Sequence, residues 1–173
     1  NGWFGTENEG WEEQPYWFRG FYDLAVLTGK ERLNKIKTRW IEEVLNSQTE
    51  EGYFGASVHR LVRGKNNKAV CDLWPHMAML DAVIHHFEHS EDVRVVPFMT
   101  RFFEFCRDLS EEEFMPILET PGAELFGEEF GNWKVTIQLK RAGDMLPHIY
   151  WLYNITGDKW LLNLATRFFE RIL

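Results

Sequence analysis

Three acidic residues stand near tryptophans at places where a loop gives way to a helical pattern. These residues are Trp11 and Glu12, Asp72 and Trp74, and Asp144 downstream of Trp133. Carboxylates bind sugar hydroxyls, and pairs of carboxylates carry out glycoside hydrolysis. Flat indole rings present an apolar face that suits the apolar side of a sugar ring. The combination predicts a carbohydrate site with Glu12, Asp72 and Asp144 as candidate catalytic acids.

The same acids have a second interpretation, as ordinary helix caps. The first turn of a helix carries N–H groups without intrahelical partners and a partial positive charge, and an acidic side chain satisfies both. Spacing alone does not separate this structural role from a chemical one. Both interpretations therefore stay open for Glu12, Asp72 and Asp144.

Basic and imidazole side chains extend the candidate site. Arg141 would meet a carboxylate if the substrate were an acidic sugar, and His76 lies close enough to a loop end to line the same site. Three further histidines are expected on the polar, solvated face of the helix that contains His76: His85, His86 and His89. The histidine spacing matches no metal-binding motif, so the sequence predicts no metal site.

The elements that position these residues are predicted from the periodicity of apolar side chains. Apolar residues recur at helical spacing in three pairs of segments, which predicts three antiparallel helical hairpins at about 12–47, 72–109 and 144–173. Between the second and third hairpins, residues 110–140 are rich in Pro and Gly and are predicted to form a long loop that contains Trp133. The prediction is one all-α domain over residues 1–173.

A repeated phrase supports the hairpin assignment. The stretch TRWIE begins at Thr38, and TRFFE begins at Thr100 and again at Thr166. The offset between Tyr22 and Tyr150, upstream of the first and third copies, equals the offset between Thr38 and Thr166. Repeats of this kind indicate repeated supersecondary units. The aromatic residue of each copy is predicted to be buried, and the Arg and Glu of each copy, three residues apart, to pair on the surface.

Composition excludes several classes of function. Hydrophobic residues make up 45% of the chain and aromatic residues 16%, which is typical of a globular protein. The net charge of −8 argues against nucleic-acid binding, which needs a basic surface. No apolar run reaches the roughly 18 residues that a membrane-spanning helix requires. The spacing of Cys71 and Cys106 neither demands nor forbids a disulfide bond.

The chain resembles a known family of enzymes over nearly its whole length. Three stretches carry the resemblance: GWEEQPYWFRGFYDLAVLTGKERLNKIKTRWIEEVLNSQTEEGYFG, DLWPHMAMLDAVIHHFEHSEDVRVVPFMTRFFEF and RAGDMLPHIYWLYNITGDKWLLNLA. In this order they are similar to the catalytic domain of the β-L-arabinofuranosidase-like glycoside hydrolases of family 127 and their relatives. That resemblance implies an (α/α)6 toroid, of which three hairpins form about half, and a secreted or periplasmic location.

The resemblance also implies a chemistry that this sequence only partly carries. Characterised members use a cysteine nucleophile held near zinc by further cysteines and a glutamate, and a separate glutamate as acid/base. Neither Cys71 nor Cys106 fits that motif, so no cofactor is assigned to this chain. What carries over is a substrate-contacting rim, which consists of Trp11, Glu12, Asp72, Trp74, His76, Trp133, Arg141 and Asp144.

The function expected on these grounds is that of a retaining glycoside hydrolase fragment acting on polysaccharide side chains, with L-arabinofuranose-type sugars as the substrate class. One alternative is an unsaturated-uronyl hydrolase or a sugar epimerase, which use similar toroids. The other is a non-catalytic helical-repeat scaffold or carbohydrate-binding domain. Because half a toroid would leave apolar helix faces open, self-association is also expected.

Overall fold

A computed structural model describes residues 1–6, 10–63, 69–115 and 133–171, with the backbone alone for residues 133–136. The chain divides into two compact units. Unit 1 consists of Asn1–Ser57 and Pro75–Phe102, and unit 2 of Val58–Trp74 and Phe103–Leu173. The described residues are mainly helical, which confirms the all-α, helical-hairpin prediction. The extent of the predicted domain and its closure into a toroid stay predictions.

The first hairpin consists of α1 (Glu13–Thr28) and α2 (Glu31–Asn46). Gly29 ends α1 in the left-handed conformation at φ 61°, and its N–H donates to the carbonyl of Ala25 at 3.1 Å. Glycine adopts this conformation without the steric cost that a Cβ imposes. The chain therefore reverses within two residues, as the Thr-Gly sequence predicts.

The next two helices are α3 (Trp74–Ser90) and α4 (Val95–Asp108). Glu91 follows α3 in the left-handed conformation at φ 53°, and its N–H donates to the carbonyl of Phe87 at 2.7 Å. This is the same cap that Gly29 provides, built here with a residue that has a Cβ. The second hairpin therefore turns with the same geometry, although it has Ser90-Glu91 where the first hairpin has Thr28-Gly29.

Three helices lie in the last described range. They are α5 (Trp133–Arg141), α6 (Leu146–Thr156) and α7 (Trp160–Phe169), and Gly157 caps α6 at φ 74°. The prediction of a loop up to residue 140 is wrong for α5, which also means that Trp133 begins a helix. A 3₁₀ turn, Ala142–Met145, precedes α6, so Asp144 lies in that turn and not in the helix that it was predicted to begin.

A short antiparallel ribbon precedes α3 in unit 2. Val62–Arg63 (β1) pairs with Ala69–Val70 (β2), with Val62 opposite Val70. Val70 is buried and Val62 packs on it. The ribbon leads directly into residues 71–73, which precede α3.

The core of unit 1 includes an aromatic cluster around Trp3. The indole lies 6.0 Å from the ring of Phe54 and 5.3 Å from that of His76, between centroids. Its Nε1–H donates to the carbonyl of Trp11 at 3.3 Å. A Cβ at Gly55 would lie 2.7 Å from the indole of Trp3, and Gly55 has φ 87°. Glycine at position 55 thus permits both the turn and the close approach of the ring.

The aromatic residue of the repeated phrase is buried in two copies out of three. Phe102 and Phe168 are fully buried, Phe102 against Phe54 in unit 1 and Phe168 against Phe114 in unit 2. Trp40 is only half-buried, although it stacks on Phe18 at 5.0 Å between centroids. The prediction of equal burial is therefore wrong at Trp40.

The polar residues of α3 tie unit 1 together more than the predicted solvated face suggests. Burial and the charge of Asp23 raise the pKa of Tyr22 to about 12, and its hydroxyl lies 3.1 Å from Nδ1 of His86. The other nitrogen of His86, Nε2, is 3.1 Å from a carboxylate oxygen of Asp92. His85 contacts Asp23 at 2.9 Å. The prediction of a purely solvated histidine face is therefore wrong at His86, which bridges two elements.

Two other predictions concern surfaces. None of the helices in the described ranges combines the length and the apolar character that a membrane span needs. On α1, Leu27 is 85% exposed, and Leu24 and Trp17 are about half exposed. Self-association through such a surface stays a prediction.

Both cysteines are buried in unit 2 and neither forms a disulfide bond. Burial raises the pKa of the Cys71 thiol and of the Cys106 thiol well above the ordinary value. A raised pKa keeps both groups as uncharged thiols at neutral pH, so both behave as small hydrophobic side chains.

Candidate functional site

The start of α3 in unit 2 is organised by Asp72. Its carboxylate Oδ1 accepts a hydrogen bond from the N–H of Trp74 at 3.2 Å, and its own N–H donates to the carbonyl of His59 at 2.9 Å. Asp72 is 1% exposed. The cap interpretation is thus supported for one carboxylate oxygen of Asp72.

The second carboxylate oxygen of Asp72 faces a histidine. Oδ2 lies 3.8 Å from Nδ1 of His59, and both side chains are almost entirely buried. A buried carboxylate requires compensation by hydrogen bonds or an opposite charge. His59 supplies that charge when it is protonated. His59 is not among the site residues predicted from the sequence, because no motif distinguishes it from any other loop histidine.

Gln138 of α5 completes the polar environment of the helix start. Its Oε1 accepts a hydrogen bond from the N–H of Leu73 at 3.2 Å, and its side chain is completely buried. The consecutive N–H groups of Leu73 and Trp74 are therefore satisfied by two side chains, from Gln138 and Asp72. Gln138 is not among the site residues predicted from the sequence, because residues 110–140 are predicted to form a loop.

Arg141 brings the end of α5 against Trp74. Its guanidinium carbon lies 5.1 Å from the centroid of the Trp74 ring, within the range of a cation–π interaction. Its Nη2 is 3.0 Å from Oδ2 of Asp144. The side chains of Arg141 and Asp144 are nearly half exposed, whereas Trp74 is buried. A cation, an acid and an indole thus form a continuous group that reaches the surface of unit 2.

Five of the predicted site residues belong to unit 2. The structure places four of them in contact pairwise: Asp72 with Trp74, Trp74 with Arg141, and Arg141 with Asp144. The side chain of Trp133 lies outside the described residues. The roles of these residues toward a substrate stay predictions.

Trp11, Glu12 and His76 belong to unit 1. Trp11 is buried, and its carbonyl accepts from Trp3. Glu12 occupies the N-cap position of α1, but its side chain makes no capping hydrogen bond. The cap interpretation therefore fails for the side chain of Glu12, and the predicted convergence of these residues with those of unit 2 stays a prediction.

His76 is held inside the aromatic cluster of unit 1. Its Nε2 is 2.8 Å from the carbonyl of Phe54, so this nitrogen carries the proton and donates. Its ring stacks on Phe102 at 5.1 Å and meets Tyr53 edge-on at the same distance. These contacts give His76 a packing role in unit 1. Its place at a substrate site stays a prediction.

The described residues contain no group of three or more His, Cys, Asp or Glu side chains arranged to hold a metal ion. The zinc chemistry that the resemblance implies has no ligand set among these described residues.

The chain belongs to a family of glycoside hydrolases. The family model described as beta-L-arabinofuranosidase, GH127 catalytic domain, matches residues 5–173. Membership supports glycosidase activity of the arabinofuranosidase type. Searches of curated proteins and of solved structures found no significant match.

Proposed function

We propose that this chain provides a substrate-contacting part of a retaining glycoside hydrolase that acts on polysaccharide side chains with L-arabinofuranose-type sugars. Its three hairpins would form part of an (α/α)6 toroid. The observation that supports the proposal best is the group in unit 2 where Trp74, Arg141 and Asp144 meet. Family membership supplies the reaction class.

Asp144 is the acid of this group best suited to touch a substrate. Its side chain is 45% exposed, and a surface ion pair such as the one with Arg141 is weak enough to be exchanged for other partners. A sugar hydroxyl would replace Arg141 as the partner of the carboxylate. Asp72 is buried, so it would hold the start of α3 in place and accept a hydrogen bond from a sugar hydroxyl.

Trp74 and Arg141 would bind the ring of the sugar. Movement of the half-exposed guanidinium off the indole would open an apolar face on which a sugar ring stacks. Trp11, Glu12 and His76 of unit 1 and Trp133 are further proposed substrate contacts, and Glu12, Asp72 and Asp144 are the candidates for proton transfer.

Arg141 also favours one alternative. An exposed guanidinium is suited to a carboxylate, which an unsaturated-uronyl substrate carries and an arabinofuranoside lacks. The scaffold alternative is favoured by the burial of Trp74, since a packing residue needs no ligand.

A binding panel separates these functions. Isothermal titration of the full chain would use methyl β-L-arabinofuranoside, an unsaturated glucuronyl disaccharide and the non-sugar polyol mannitol. Binding of the arabinofuranoside, weakened at least tenfold by Asp144→Asn, supports the proposal. Stronger binding of the uronyl disaccharide that Arg141→Met abolishes would identify the alternative, and absence of sugar binding would favour a scaffold.

The matched control is Asp158→Asn, which changes an acid in the turn between α6 and α7 of the same unit. It should leave the affinity for the arabinofuranoside unchanged. Release of L-arabinose from p-nitrophenyl β-L-arabinofuranoside would then test hydrolysis as distinct from binding.

A further inference from the structure

Only one of the two polar atoms of the Gln138 side-chain amide has a hydrogen-bond partner among the described residues. Its oxygen accepts the N–H of Leu73, but its Nε2 is buried and has no hydrogen-bond acceptor among the residues that the structure describes. A buried donor without a partner is destabilising, and most buried polar groups in folded proteins are paired. The amide nitrogen of Gln138 is therefore a candidate for a ligand contact.

The surroundings of this nitrogen indicate which ligand it would take. Gln138 and Asp72 accept from the adjacent N–H groups of Leu73 and Trp74, so their side chains lie side by side at the start of α3. One offers two N–H donors, the other a carboxylate acceptor. The first turn of a 17-residue helix adds a partial positive charge.

A neutral hydroxyl group fits this pair of side chains. A hydroxyl accepts and donates at the same time, so its oxygen would accept from Nε2 of Gln138 while its proton is donated to Asp72. A carboxylate could accept from Gln138 but would be repelled by Asp72. The pair therefore selects a hydroxyl of a neutral sugar over an acidic group.

We propose that Gln138 is a specificity-determining residue that, together with Asp72, binds a hydroxyl group of a neutral sugar at the start of α3. The inference rests on the proposed function, since it concerns the same site. Both side chains are buried, so a bound sugar must displace the residues that cover them.

Two variants of Gln138 test the donor separately from the fold. Gln138→Glu retains an oxygen for the N–H of Leu73 but removes the donor at neutral pH, and Gln138→Met removes both groups at similar volume. In titrations with methyl β-L-arabinofuranoside we expect each variant to bind roughly tenfold more weakly than the wild type at pH 7, the effect of one lost hydrogen bond.

Acidification distinguishes the proposed contact from a packing role. Below the pKa of its carboxyl group, Glu at position 138 carries an O–H that can donate to the sugar. The affinity of Gln138→Glu should therefore recover toward that of the wild type at the same acidic pH, while Gln138→Met stays weak. Equal affinity of Gln138→Glu and wild type at pH 7 would overturn the proposal.

Gln48→Met is the matched control in unit 1. The Nε2 of Gln48 donates to the carbonyls of Gly52 and Phe98, so this glutamine is structural. The substitution should lower the melting temperature and leave sugar affinity unchanged. In addition, the side-chain ¹⁵N–¹H₂ signals of Gln138 in the wild type should shift on addition of the sugar, a readout that needs no stable variant.

The failure of this inference and that of the proposed function are distinguishable. If the wild type binds the sugar but the Gln138 variants bind it equally well and the amide signals do not move, only the role of Gln138 is wrong. If the wild type binds neither the arabinofuranoside nor any other sugar of the panel, both proposals are wrong.

Discussion

The first and third hairpins have the same Thr-Gly turn, but their second helices make different contacts. Gly29 and Gly157 adopt the left-handed conformation at φ 61° and 74°, and each donates its N–H to the carbonyl four residues earlier. Beyond the turns, Trp40 of α2 is only partly buried, whereas Phe168 of α7 is fully buried. Local sequence thus specifies the turn, while tertiary packing decides what the repeated helix does.

The arginine of the repeated phrase shows the same divergence. In α7, Arg167 donates to the carbonyls of Cys106, Arg107 and Leu109 at the end of α4 and lies 4.0 Å from the centroid of the Phe114 ring. In α2, Arg39 is exposed and lies 5.9 Å from the centroid of the Phe4 ring. The predicted surface pair with the glutamate three residues on is replaced in α2 by a bond of Glu42 to Arg94, and in α7 by one of Arg167 to Glu111.

The largest expected difference between the hairpins is at the aromatic position. Phe168→Ala should lower the free energy of unfolding by roughly 3–5 kcal/mol, because it leaves a cavity beside Phe114. Trp40→Ala should lower it less, by roughly 1–3 kcal/mol, since solvent already reaches the indole. Urea denaturation measures both. Equal losses would show that exposure does not distinguish the two positions.

The next largest difference in stability is expected between substitutions of Arg167 and of Arg39. Arg167→Met removes the donors for three helix-end carbonyls of α4, and the expected loss is roughly 1–3 kcal/mol. Arg39→Met is the matched control, with an expected change within about 0.5 kcal/mol. Thermal unfolding of the two variants provides the comparison, and an equal effect of both would contradict the capping role of Arg167.

The ion pairs of Arg94 with Glu42 and Asp92 are expected to make the stability of unit 1 depend on pH. Hydrogen bonds to Arg94 hold the pKa of Asp92 and that of Glu42 below their usual ranges. A lowered folded-state pKa stabilises the protein above the unfolded-state value of about 4, and this stabilisation is lost as the pH falls through the folded-state pKa. Arg94→Met should therefore cost about 1 kcal/mol at pH 7, a modest value because Arg94 is half exposed.

Measurements of unfolding free energy at acidic pH test that prediction. As the pH falls below 4, the difference in stability between the wild type and Arg94→Met should shrink toward zero. A constant difference from pH 7 down to pH 2 would mean that the carboxylates are not its source.

The smallest expected effects concern the turns themselves. A Cβ at Gly29 or Gly157 would meet no atom within 4 Å, so an alanine there costs only backbone strain, about 1 kcal/mol. Glu91→Gly should have the opposite sign and stabilise by a few tenths to about 1 kcal/mol, because it relieves φ 53°. Melting temperatures that fall for Glu91→Gly would show that the Glu91 side chain contributes more than the strain costs.

Much of the helical framework was predictable because α1 to α4, α6 and α7 carry apolar stripes and because glycines end α1 and α6. The exception is α5, since nine residues form a marginal helix in isolation and rely on tertiary packing. Its misassignment hid Gln138. Asp72, Trp74, Arg141 and Asp144 were selected from their places at loop ends, but the partnership of Asp72 with His59 depends on a fold that brings two loop segments together.

The two buried thiols of unit 2 have a practical consequence. A thiol-reactive dye attacks the thiolate, and in the folded chain Cys71 and Cys106 are both covered and protonated. Modification must wait for the surrounding residues to open, so the rate of labelling records how often unit 2 opens. Because both cysteines lie in unit 2, their labelling rates report the opening of this unit without an engineered probe.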